Sequence, residues 1–130
     1  MNQKEIVLID DREYGLRQIR NAIPETKKAL YKVTYYPSVK KYQRRHKTKS
    51  YVVLLDFFLS KDGTYGHKIV NEIKADIIIG FSSNKKASLA IVESLLHERN
   101  DPQNHNVYAV QKLKGSDHNP ELTKLFSELL

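Results

Sequence analysis

Cysteine is absent from the 130 residues, and its absence removes disulfide scaffolds, thiolate zinc sites and cysteine enzymes together. Nothing then argues for secretion. A membrane-length apolar run is also missing, and residues 1–5 lead straight into a strand-like run with no signal-peptide hydrophobic segment. A cytoplasmic protein without membrane insertion is expected. No repeat or low-complexity tract interrupts the chain, whose length suits one compact domain, 1–130, able to bury a core without staples. Acidic residues are the minority charge: 15 against 22 lysines and arginines, for a net charge of +7. Such a balance favours nucleic acid, anionic surfaces or acidic partners.

What is present is a set of short apolar runs rich in β-branched residues, at 6–9, 32–36, 51–55, 77–81 and 107–111. Runs of this length bounded by polar residues read as strands buried on both faces. Between them lie helical spacings: Tyr14, Leu16, Ile19 and Ile23, then Ile69, Val70 and Ile73, then Ala87, Leu89, Ile91, Leu95 and Leu96. Alternating strand and helix predicts an α/β domain with a doubly wound, five-stranded parallel sheet. The first helix is expected to start at Asp11 to Glu13 and stop before Pro24; Ser38 and Asn84 are N-cap candidates, and Pro120 opens a last helix.

Carboxylates stand where the strands end. Asp10 and Asp11 close the first run and Asp56 closes the third, and open parallel sheets bind ligands at their carboxyl ends. Three clustered carboxylates supply the hard oxygen ligands that Mg²⁺ prefers. The fourth run leads to Ser82 and Ser83 and the fifth to Lys112, adding a hydroxyl and a cation to the same rim. In outline this is a phosphoryl-transfer pocket in which a carboxylate serves as nucleophile. Each piece alone has an ordinary explanation as a helix-start acid, an N-cap or a solvated lysine. Their succession at strand ends is what sets them apart.

Val7-Leu8-Ile9-Asp10-Asp11, Val53-Leu54-Leu55-Asp56, Ile78-Ile79-Gly80-Phe81-Ser82-Ser83 and Ala109-Val110-Gln111-Lys112 resemble the response-regulator receiver domain of the single-domain, chemotaxis-protein type. The resemblance spans essentially the whole chain. It implies the flavodoxin-like receiver fold with strand order 2-1-3-4-5, and a phosphoacceptor switch in a two-component phosphorelay rather than a turnover enzyme. It also implies that Asp56 takes a phosphoryl group from a histidine kinase or phosphotransfer protein. Asp10, Asp11, Asp56 and the backbone carbonyl of Phe58 would hold Mg²⁺, Ser82 would meet the phosphoryl oxygen, and Lys112 would pair with it. Output would pass to a downstream target protein.

The departures from the pattern are specific. Leu113 follows Lys112 where the family has proline, and Ala109 stands three residues before the lysine, where an aromatic often stands, with Tyr108 one place earlier. If the last strand were shifted so that Tyr108 took that place, Gln111 would replace the lysine. The loop 57–66 is slightly longer than the family pattern, and 98–106 reads as an insertion. These departures motivate an alternative, a degenerate receiver-like module that acts without phosphate, through its basic segment, on nucleic acid or an acidic partner. A phosphohydrolase of the haloacid-dehalogenase type is disfavoured, because Asp56-Phe57-Phe58 lacks its Asp-x-Asp nucleophile motif.

The segment 40–49 holds Lys40, Lys41, Arg44, Arg45, Lys47 and Lys49, with Tyr42 interleaved. A charge run is usually a solvated face, so nucleic acid is not the expected partner. His97, His105 and His118 lack metal-ligand spacing and read as surface residues.

Overall fold

The computed structural model describes residues 3–45, 49–59, 63–66, 73–98 and 106–130. In chain order the elements are β1 (Lys4–Ile9), α1 (Gly15–Ala22), a 3-10 helix (Glu25–Leu30), β2 (Tyr31–Tyr36), α2 (Val39–Arg45), β3 (Ser50–Leu55), β4 (Phe58–Leu59), β5 (Thr64–Tyr65), β6 (Ala75–Ser82), α3 (Lys85–Glu98), β7 (Val107–Gln111) and α4 (Pro120–Leu129). Five strands form one parallel sheet in the order β2-β1-β3-β6-β7. Setting aside the small β4–β5 hairpin, this is the expected order 2-1-3-4-5. No helix among the described residues is long and apolar enough to cross a membrane.

The period-2 geometry of a strand sends alternate residues to opposite faces, and with both faces covered each must be apolar. Val7 and Ile9 join Val53, Leu55 and Ile78 beneath Val39 and Tyr42 of α2 and Ile91 of α3. Ile6 and Leu8 join Val52, Leu54, Ile79 and Phe81 beneath Ile19 and Ala22 of α1 and Leu122 and Phe126 of α4. Continuous apolar strands are the sequence consequence of this two-sided burial.

Local chemistry sets the helix starts. Ser38 Oγ accepts from Lys41 N at 3.2 Å, Asn84 Oδ1 from Lys86 N at 2.9 Å, and Asn119 Oδ1 from Leu122 N at 3.1 Å, so each cap satisfies an otherwise orphaned amide. The first helix departs from expectation. It begins at Gly15 with no acid in its first turn, because Asp10 and Asp11 are committed to the end of β1 instead of to a helix start. The 3-10 helix and the β4–β5 hairpin were not expected. The predicted helix carrying Ile69 and Val70, and the insertion at 98–106 apart from its two end residues, lie outside the described residues, although Ile73 is buried in the core.

β7 is a sheet edge, and side chains occupy its outward backbone groups. Lys85 Nζ donates to Ala109 O at 2.9 Å and pairs with Glu121, whose other oxygen accepts from Gln111 N at 2.9 Å. Covering an edge in this way removes a template for stray strand pairing. Ser88 stitches α3 to the sheet by accepting from Ser82 N at 2.9 Å and donating to Val110 O at 3.0 Å. Gly80 permits this approach, since a Cβ there would lie 2.3 Å from the Ser88 carbonyl oxygen.

Gly80→Ala is therefore expected to lose about 1–3 kcal/mol of stability in urea denaturation, the range for overpacking against an unyielding backbone. An unchanged midpoint would show that α3 does not press on β6 as described.

Candidate functional site

The parallel register brings the ends of β1 and β3 side by side, with Ile9 opposite Leu55, so the next residue of each strand meets at one edge. Asp56 N donates to Ile9 O at 3.0 Å and Asp10 N to Tyr36 O at 3.2 Å, extending the ladder by one bond past the strands. The carboxylates of Asp10, Asp11 and Asp56 then converge, offering ligand atoms within 4.8 Å of one another. Asp10 is fully buried and Asp56 nearly so, whereas Asp11 is partly exposed. Arg12 N donates to Asp10 Oδ1 at 3.0 Å.

Lys112 enters the same pocket. Its backbone N–H donates to Ser82 O at 2.8 Å, its side chain is 3% exposed, and its ammonium hydrogen-bonds Asp10 while lying 3.7 Å from Asp56 Oδ1. Gln111 turns outward and donates from Nε2 to Ser83 O at 3.0 Å. The alternative register with Gln111 in the pocket is therefore not the one adopted. Tyr108 packs on the sheet face shared with α4, so it does not take the place of Ala109.

Other expected site residues sit less centrally. Ser82 is buried at the end of β6, where its hydroxyl accepts from Asn84 N at 3.4 Å. Phe58 opens the β4–β5 hairpin opposite Tyr65 with its ring exposed among Phe57 and Tyr65. Gly66 closes the base of that hairpin, donating to Phe57 O at 2.5 Å; a Cβ at Gly66 would fall 2.1 Å from the Asp56 carbonyl oxygen. Of His97, His105 and His118, only the side chain of His118 is described, and it is exposed.

Three supporting residues escaped the sequence reading. The Tyr14 ring lies 4.7 Å from the Lys112 ammonium, in cation–π range. Gln18, fully buried, accepts from Leu113 N at 3.2 Å and from Asn119 Nδ2 at 2.9 Å while donating to Leu113 O and to Ser116 O. Asn119 also donates to Gln111 O at 2.8 Å. Leucine in place of proline after the lysine thus supplies an N–H that proline lacks, and Gln18 uses it to fix the loop. An amide at a core-facing position between Tyr14 and Ile19 was the available signal.

The pocket holds two buried carboxylates against one ammonium. Burial pushes Asp10 up to about 7, with the Lys112 ammonium opposing and the Asp56 charge adding to the rise. Burial raises Asp56 as well, again opposed by Lys112, while the two carboxylates outweigh burial and raise Lys112. Excess negative charge at this depth is relieved by a proton or a divalent cation. The all-oxygen donor set and the excess charge fit Mg²⁺.

No family model matches the chain, and no curated protein matches it. Solved structures do. A response regulator from Thermotoga maritima is similar at 16% identity, covering 98% of this chain and 94% of that one, with a TM-score of 0.53. The Salmonella typhimurium RcsB response regulator is similar at 15% identity over 98% of this chain and 67% of that one, with a TM-score of 0.54. The chain has the receiver-domain fold, with an acidic cluster at the carboxyl ends of the strands.

Two outcomes are expected. A carboxyl raised in the folded state binds its proton more tightly there than in the unfolded chain, so its contribution to stability is present at low pH and lost between about 4 and about 7. Urea midpoints of metal-free wild type, relative to Asp10→Asn, are expected to fall from pH 4 to pH 7; a relative rise would contradict the assignment. Gln18→Ala is expected to cost about 2–3 kcal/mol by orphaning buried partners, and a loss below about 0.5 kcal/mol would mean that Gln18 does not hold the loop.

Proposed function

We propose that this protein is a response-regulator receiver that accepts a phosphoryl group on Asp56 in an Mg²⁺-dependent reaction and signals through protein contacts. The observation that carries the reading is the Asp56 carboxylate set beside the Asp10 and Asp11 carboxylates and 3.7 Å from the buried ammonium of Lys112. A histidine kinase or phosphotransfer protein is the donor that this chemistry suits.

Asp56 is the nucleophile in this scheme. An Asp56 Oδ bonds to phosphorus as the bond from phosphorus to the donor's imidazole nitrogen breaks; that nitrogen keeps the electron pair and takes a proton. Lys112, already held at the pocket by Asp10 and Tyr14, offers its charge to the phosphoryl oxygens without having to be recruited. Ser82 would donate its hydroxyl to a phosphoryl oxygen, exchanging its contact with Asn84 N, and this exchange links the pocket to the start of α3. Asp10, Asp11, Asp56 and the Phe58 carbonyl are the groups that would hold Mg²⁺, which when bound neutralises negative charge on the transferring phosphoryl group.

The product is an acyl phosphate on the protein, so the site serves as a switch and not as a turnover centre. The degenerate alternative rests on Leu113 and Ala109, yet the Gln18 clamp gives Leu113 a structural role compatible with a working lysine.

With Mg²⁺ and acetyl phosphate, intact mass spectrometry is expected to show the gain of one phosphoryl group, lost in Asp56→Asn and on chelation of the metal. Labelling of Asp56→Asn at the wild-type level would overturn the assignment. Lys112→Ala is expected to be labelled while the backbone around Ser82 no longer responds in amide NMR spectra.

A further inference from the structure

We propose that the exposed face of α2, carried by Lys41, Arg44 and Arg45, binds the phosphate backbone of duplex nucleic acid without reading its sequence. The origin of the net charge is the first support. Residues 26–55 contain nine lysines and arginines and no aspartate or glutamate, against +7 for the whole chain, so the remaining residues are net acidic. The protein is thus a divided charge distribution, with its carboxylate cluster at the strand ends and its excess of positive charge in one stretch.

The structure separates this stretch from an ordinary solvated charge run. Val39 and Tyr42 turn inward, and Tyr42 is only 3% exposed, its hydroxyl bonded to Ser50 Oγ at 2.8 Å and to Lys74 O at 3.2 Å. Burying this side of the helix leaves Lys40, Lys41, Gln43, Arg44 and Arg45 outward on one short helix. Positions four apart on a helix stand about 6 Å apart along its axis and repel when alike in charge. Elsewhere in the stretch, Lys28 pairs with Glu25 at 2.9 Å and Lys49 with Asp76 at 2.7 Å. Among the described residues, Lys41, Arg44 and Arg45 have no carboxylate partner.

The composition of the face selects the partner. Protein–protein contacts are centred on buried apolar or aromatic anchors and are poor in lysine, and the anchors α2 possesses, Val39 and Tyr42, are already spent in the core. Nucleic-acid interfaces are more polar and far more positive. Arginine forks match phosphate oxygens in two-point contacts. With Tyr42 buried, no ring of α2 is free to stack on a base, which favours the duplex backbone over unpaired strands.

The test is fluorescence anisotropy with a labelled duplex DNA of random sequence, titrated with the unphosphorylated protein at several salt concentrations, so that it is independent of the phosphoacceptor reading. Binding is expected at low salt, with log K falling against log salt at a slope near −3 for about three phosphate contacts. Arg44→Ala/Arg45→Ala is expected to make the slope shallower by nearly two, while Lys124→Ala, an exposed cation on α4, leaves it unchanged. Circular dichroism melting checks that both variants are folded. Absence of binding at low salt, equal binding by the double variant, or binding to vesicles containing phosphatidylserine but not to DNA would each overturn the proposal.

Discussion

One buried ammonium shared between two buried carboxylates organises this molecule. Lys112 arrives from β7, Asp10 from β1 and Asp56 from β3, so the contact joins three strands of the sheet at the edge where their carboxyl ends emerge. A lysine this deep would lose its charge without a partner, and either carboxylate would do the same. Together they keep the lysine charged but not both acids, since two acids face one base and burial pushes Asp10 up to about 7. That residual negative charge leaves the site able to take up a cation or a proton, and it is the physical basis of the proposed metal dependence.

Holding the lysine in place takes more than the carboxylates. Tyr14 approaches its ammonium, Gly15 lets Phe81 and the lysine stem pack closely against the start of α1, and Gln18 fixes the following loop through the backbone of Leu113. Asn119 joins that loop to the first turn of α4 and to the end of β7. A shift at the pocket therefore has mechanical routes outward: through Ser82 and Ser88 to α3, and through Gln111 and Glu121 to α4. The second route runs on short polar contacts at the β7 edge.

The sheet was legible because strands buried on both faces must be continuously apolar, and all five principal strands were located to within two residues. The site was legible for a related reason: an acid, hydroxyl or lysine directly after such a run stands out. What escaped was chemistry that composition masks. Gln18 is a polar residue in a helix until its partners are known. The β4–β5 hairpin has too few residues for periodicity to register. Tyr42 stands interleaved among lysines and arginines in the sequence, and only the packing of α2 against β2 and β3 shows the ring turned inward. The start of α1 was misplaced because carboxylates suit both a helix N-terminus and a metal pocket, and sequence alone does not rank the two.

The charge imbalance in the pocket has a direct thermodynamic signature. Because Asp10 titrates at about 7, a divalent ion entering the site at neutral pH must displace the proton that Asp10 holds for part of the time. Isothermal titration of Mg²⁺ in buffers of different ionisation enthalpy counts those protons. The account predicts proton release on binding at pH 7 that diminishes toward pH 9 and is reduced in Asp10→Asn. Mg²⁺ binding with no proton release at pH 7, or release that persists unchanged in Asp10→Asn, would contradict it.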